Sequence, residues 1–211
     1  MSATDAQRKQ WSFVLRSALQ AMGLIVIPGL LIRAFFVSSF YMAGSSMLPS
    51  VWPGDFMVAV KWKPERVHRG DIVVIKCPGA EDSSCLKRVV GLPGDRVEIT
   101  NHKLFINGQE TMAERLTEEL GVERVQGQSW TIWVSPLPLD DLSPLIVPPG
   151  HAFLLNDKRE IGEDSRLWGP VPIPTITAKA KTIWFSLDWF DGEQVREWPR
   201  VRWSRILRSA N

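Results

Sequence analysis

The sequence predicts a mainly β protein: an antiparallel β body behind one apolar N-terminal helix. Three observations predict it: an uncharged apolar run near the start, a succession of short strand-like runs from residue 56 onward, and fifteen glycines and fifteen prolines that punctuate them. With 211 residues, 45% of them hydrophobic and 23% charged, the chain can bury one core, and collagen-like, low-complexity or disordered readings fall away. The net charge is only +2. Four of the 25 basic residues and one of the 23 acidic ones precede Tyr41, leaving 21 against 22, so no basic face is left over for nucleic acid.

Between Arg16 and Arg33 run sixteen residues without a charge, SALQAMGLIVIPGLLI. As a helix they reach about 24 Å, short of roughly 30 Å of bilayer hydrocarbon, but extension to Val37 gives about 31 Å if Arg33 snorkels at the far interface. Residues 17–37 are therefore expected to form a transmembrane signal-anchor helix. Apolar side chains surround the segment instead of forming one stripe, which argues against a buried core helix. No clear small-x-small site follows at SSFYMAG, which argues against a cleaved signal peptide. Arg8, Lys9 and Arg16 precede the span, so residues 1–16 are expected in the cytoplasm and residues 38–211 outside, with the phospholipid membrane as a partner.

The body then reads as strands in order: FMVAVKW, DIVVIKC, LKRVVGL, RVEIT and KLFING, followed by strands near residue 151 and over 178–190. Residues 107–149 have mixed character and are expected to form an inserted subdomain, with an amphipathic turn or helix at TMAERLTEELG. Of the ten tryptophans about half are expected in the core, Trp133 and Trp184 first, and the others at a membrane interface. The arginine-rich end REWPRVRWSRILR reads as a basic tail, solvated or leaning on anionic headgroups.

Two cysteines and the scattered His68, His102 and His151 offer no ligand-spaced metal cluster, and no cofactor is called for. The chemistry instead rests on serines and a lysine. MAGSSMLPS begins just after the apolar span, which holds its serines near the membrane. Lys87 lies in a β-like run among Leu86, Val89 and Val90, where desolvation disfavours its charged form. A neutral lysine can serve as base to a serine hydroxyl. Arg88 cannot, because its guanidinium stays protonated.

The order SSMLPS, GDIVVI, KRVVGLPGD and DSRLWGPVP behind an N-terminal anchor resembles type I bacterial signal peptidase, and the tail is similar to the Gram-negative branch. The resemblance implies that Ser46 is the nucleophile, Lys87 the general base and the Ser46 backbone N–H an oxyanion donor. It also implies that Asp164 and Arg166, with Ser165 between them, form a supporting ion pair, while Asp95 and Gly91 shape the turn after the lysine strand. The substrates would be secreted preproteins, cut at the outer face of a bacterial plasma membrane. Their small residues at the first and third positions before the cut would enter shallow pockets lined by Val73, Ile75, Leu86 and Val58.

Two departures stand out. Gly162 occupies the place of a serine that orients the lysine in the family, and Gly44 the place of a serine that completes the oxyanion hole. They keep in view an inactive anchored homologue that binds preproteins; a specialised pilin-maturing peptidase with the same dyad is the other alternative. Cys77 and Cys85 flank PGAEDSS in what this topology makes an oxidising compartment and are expected to form a disulfide, two buried thiols being the alternative.

Overall fold

The computed structural model describes residues 11, 14–17, 20–28, 37–61, 67–101, 103–134, 139–161, 163–191 and 194–210. The chain divides into two compact units, Met1–Ser38 and Ser39–Asn211. In the first, residues 14–17 and 20–28 are helical, and Met22, Leu24, Ile25, Val26 and Ile27 are exposed. Among the described residues no helix is long and apolar enough to cross a membrane. The expected span over 17–37 includes residues 18–19 and 29–36, which lie outside the described residues.

The described strands, in chain order, are β1 (Val37–Tyr41), β2 (Asp55–Lys61), β3 (Ile72–Cys77), β4 (Ala80–Gly91), β5 (Arg96–Thr100), β6 (Lys103–Ile106), β7 (Gln109–Glu110) and β8 (Met112–Arg115). They continue with β9 (Leu120–Val125), β10 (Gln128–Trp133), β11 (Leu142–Ile146), β12 (His151–Leu155), β13 (Val171–Pro172), β14 (Ile176–Asp191), β15 (Gln194–Val201) and β16 (Arg208–Ser209). A short α-helix, α1 (Ser165–Trp168), and two 3-10 turns, Ile173–Thr175 and Trp203–Arg205, interrupt them. The main sheet runs β1-β2-β14-β3-β4-β12-β13, with β15 and β16 also on β14. Two smaller sheets, β11-β5-β6-β7 and β10-β9-β8, account for the rest.

The side-chain pattern explains the layering. In β2, Asp55, Met57 and Ala59 are buried while the residues between them are not, the period of a strand with one covered face. In β3 the run Ile72-Val73-Val74-Ile75 is buried throughout, because both faces are covered. Ile72 and Val74 enter one core with Met47, Val51, Leu86 and Ile183, and Val73 and Ile75 enter another with Val89, Leu154 and Ile176. A third core joins Val90 and Phe153 to the smaller sheets through Val97, Leu104, Trp130 and Ile132.

Several expectations are corrected. The segment 111–121 is the β8–β9 hairpin, not a helix: Thr117 Oγ1 accepts the Glu119 and Leu120 N–H groups, turning the chain back, and a Cβ at Gly121 would lie 2.8 Å from Met112 Sδ across the pair. Trp184 is 45% exposed, whereas Trp130 is buried. The arginine-rich end keeps Arg200 and Arg208 exposed, and is built from β15, with Val201 opposite Leu187, and the start of β16. Gly91 serves packing more than the turn, since a Cβ there would sit 2.8 Å from Phe153 Cβ; Asp95 holds the turn by accepting the Leu92 N–H at 2.5 Å.

Candidate active site

The serine-bearing turn is hooked into the core from both ends. Met47 and Val51 are fully buried, the Val51 N–H donates to Met47 O at 2.9 Å, and the Leu48 N–H donates to Ser45 O at 3.1 Å. Ser45 and Ser46 are left half-buried at the rim. Below them Asp55 has no exposed surface; it accepts Ser186 Oγ at 2.6 Å and the Trp52 N–H at 2.7 Å, and pairs with Arg205. Arg205 also donates to Ser50 O at 3.1 Å, so the C-terminal segment anchors the turn. Gly54 closes it at φ +91, where a Cβ would lie 1.9 Å from Leu187 O, a position that only glycine can occupy.

Lys87 stands on β4 opposite Val73 and is 4% exposed. Its Nζ lies 5.3 Å from the centre of the Trp168 ring. Burial pushes the amine below the ordinary lysine value of 10.5; the charges of Asp164 and then Glu163 oppose the shift, and Arg166 adds to it. The β4–β12 ladder stops with Leu155 opposite Arg88, so among the described residues the edge of β4 from Ala80 to Lys87 on that side carries no strand.

The loop after β12 ties serine turn to lysine strand. The Lys158 N–H donates to Ser46 O at 2.9 Å. Asp157 accepts Arg88 Nε and Nη2, each at 2.7 Å, and Arg88 Nη2 reaches Ser50 Oγ at 3.0 Å. Asp164 caps α1 by accepting the Arg166 N–H at 3.1 Å, takes the Arg166 side chain at 2.8 and 2.7 Å, and accepts the Asn156 N–H at 3.1 Å. Ser165 Oγ accepts the Leu154 N–H at 2.9 Å, and Arg166 donates to Arg159 O and Ile161 O.

Among the described residues no hydrogen bond joins Ser46 to Lys87; the residues around them are what connect them. The Ser46 N–H has no backbone partner among the described residues, and nothing lies within 4 Å of where a Gly44 Cβ would stand. Gly162 lies outside the described residues. Val73 and Ile75 are fully buried in the core and cannot line an open pocket, and Leu86 is likewise buried; Val58 is half-buried. Cys77 and Cys85 are joined by a disulfide with Cα atoms 5.3 Å apart, two residues before Lys87. A cleft of about 620 Å³ beside it is lined by Cys77, Pro78, Trp168, Pro172 and Thr175 among others.

Sequence reasoning missed the buried pair formed by Glu123 and Arg159. Thr111 Oγ1 and Trp130 Nε1 complete the Glu123 carboxylate at 3.2 and 3.0 Å, and the Trp130 ring lies 5.4 Å from the Arg88 guanidinium carbon. The sheet β8–β10 therefore braces the loop that holds Ser46 and Arg88. The signal was weak: only the presence of Glu123 among apolar neighbours in GVERV hinted at a buried charge.

Residues 15–185 match the family model described as signal peptidase, peptidase S26. The chain belongs to that family. It is 32% identical over 193 residues to signal peptidase I of Pseudomonas aeruginosa, covering 74% of this chain and 68% of that protein. It is 29% identical over 151 residues to signal peptidase IB of Staphylococcus aureus strain COL, covering 71% and 78%. A signal peptidase I structure from Enterococcus faecalis aligns at 25% identity and a TM-score of 0.37, over 55% of this chain and 97% of that one. As a peptidase of this family the chain is a serine endopeptidase that removes signal peptides, and its fold is the mainly β, antiparallel arrangement described above.

Proposed function

We propose that Ser46 and Lys87 form the catalytic dyad of a membrane-anchored peptidase that acts on preproteins at the extracytoplasmic face of a bacterial plasma membrane. The observation that carries the dyad is the burial of Lys87: a desolvated amine favours its neutral form, and only that form accepts a proton. Ser46 Oγ attacks the scissile carbonyl as its proton passes to Lys87 Nζ. The oxyanion forms beside the Ser46 N–H. The ammonium then protonates the departing amine, leaving an acyl ester on Ser46. Water, deprotonated by the again-neutral lysine, releases the signal peptide and frees Ser46.

The anchor over 17–37 is supported by the uncharged run and the exposed apolar side chains of residues 22–27. Exposed Trp184, Trp198 and Trp203, beside Arg196, Arg200 and Arg208, suit a headgroup interface. Residues 1–16 would then be cytoplasmic, residues 107–149 an insertion in the peptidase domain, and Asp164 with Arg166 the support of the Lys87 side. The test is cleavage of a generic preprotein in detergent by the parent, Ser45→Ala, Ser46→Ala and Lys87→Met. Activity in the parent and Ser45→Ala alone is expected. A working Ser46→Ala overturns the nucleophile, and a working Lys87→Met overturns the base. Cleavage of only a pilin precursor would identify a specialised peptidase.

A further inference from the structure

A buried acceptor without a donor lies beyond the end of the β4–β12 ladder, on the side of the Lys87 amine. Asn156 Oδ1 is the single buried side-chain nitrogen or oxygen without a hydrogen-bond partner among the described residues. Its amide is held by the other end, Nδ2 donating to Ile161 O at 3.0 Å and to Glu163 O at 3.5 Å. Lys87 is 4% exposed, its Nζ carries N–H donors, and among the described residues it forms no ion pair; the Trp168 ring centre lies 5.3 Å from it.

The register brings the two together. Leu154 is opposite Val89 and Leu155 opposite Arg88; continued one step past the end of β12, the same register would set Asn156 opposite Lys87. Leu154 and Val89 pack in the same core, and alternation extended by two residues along each chain would turn Asn156 and Lys87 toward that face. They also share neighbours: Asp164, whose charge acts on Lys87, accepts the Asn156 N–H at 3.1 Å, and Glu163, whose charge also acts on Lys87, accepts Asn156 Nδ2 at its backbone carbonyl at 3.5 Å.

We propose that Asn156 is a positioning residue for Lys87: its side-chain carbonyl, unpartnered in the structure, accepts an N–H of the amine in the reacting state so that the lone pair faces Ser46. An amide suits the task chemically. A neutral amine has N–H bonds to give and one lone pair to keep for the hydroxyl proton; a carbonyl takes the first and leaves the second. A carboxylate in the same place would stabilise the ammonium and spoil the base. The inference rests on the assignment of Lys87 as base.

The test uses the full chain in detergent with a preprotein substrate, leaving Asp164, Glu163 and Arg166, the charged groups facing Lys87, unchanged. Asn156→Leu should lower kcat about tenfold with KM within twofold, as expected for loss of an interaction made in the reacting state. Its melting temperature should hold, since the orphaned oxygen is gone and Ile161 O keeps Arg166 as donor at 2.6 Å. Asn156→Asp, nearly isosteric, should displace the acid limb of the kcat profile to higher pH by about one unit, because a carboxylate beside the amine strengthens its hold on the proton. It carries the test if the leucine variant does not fold. Parent kcat in folded Asn156→Leu, or an unmoved limb in Asn156→Asp, overturns the proposal. If Lys87→Met is inactive in the same assay, that failure belongs to Asn156 alone; if Lys87→Met still turns over, the base assignment itself falls.

Discussion

Arg88 and Asp157 meet through two parallel bonds of 2.7 Å, with side chains 1% and 0% exposed. One partner follows the lysine on β4, and the other precedes the residue whose N–H holds Ser46 O. The bidentate pair therefore sets the spacing between the two halves of the proposed dyad, and Arg88 extends the hold to Ser50 Oγ at 3.0 Å.

Removing one partner leaves a buried charge without its countercharge. Asp157→Ala should lower the unfolding free energy by about 3–5 kcal/mol, read by urea denaturation. The double variant Arg88→Met with Asp157→Leu should recover much of that stability and little of the preprotein turnover. If turnover returned together with stability, the pair would act on the fold alone.

The depressed proton affinity of Lys87 fixes the sign of two pH effects. Activity should rise with pH as the buried amine loses its proton; a flat rate from about pH 6 to 9 would contradict a lysine base. For stability, the unfolded chain carries an ordinary lysine near 10.5 and the folded chain a weaker one. Between those values the unfolded state binds more protons, so the contribution of Lys87 is fully present above 10.5 and is lost as pH falls through the folded value. Lys87→Met should accordingly melt higher than the parent at neutral pH, with the difference shrinking toward pH 10.5.

The disulfide closes a short loop on the hairpin that delivers Lys87. The double variant Cys77→Ser, Cys85→Ser should lose about 2.5 kcal/mol of stability through the freed unfolded chain. Labelling of denatured, unreduced parent protein should find no reactive thiol; two per chain would reject the bridge.

Gly44 lies outside the left-handed region and has open space where a side chain would stand. Gly44→Ser should fold like the parent and, if its hydroxyl reaches the oxyanion, raise turnover several-fold. Unchanged turnover at unchanged melting temperature would mean that another group already serves as the second donor.

Much of the scaffold was legible because β-branched runs such as IVVI and alternating runs such as TAKAK carry strand periodicity in the residues themselves. TMAERLTEELG misled because its glutamates, leucine and arginine are good helix formers, while the deciding contact, Gly121 against Met112, belongs to the folded hairpin. The expected pocket lining failed for a similar reason: Val73 and Ile75 are apolar and near Lys87, but the segment 168–176 covers that face with Trp168, Val171 and Ile176. Ser46 and Lys87 were read from motif order. Glu123, Arg159 and Asn156 could not be, since their meaning lies in partners brought together only by the closed sheets.

The margin of β4 from Ala80 to Lys87 on the β12 side, which carries no strand among the described residues, also bears on tolerance. Main-chain donors and acceptors are the same in every residue but proline, so a guest strand laid along such a margin is recognised without its sequence being inspected. Only alternate side chains, those turned toward the sheet face, meet a constraint. A recognition surface of this kind can be strict at every second position and indifferent between them, so many unrelated clients can share one enzyme, and substitutions at the indifferent positions of a client can drift without loss of processing.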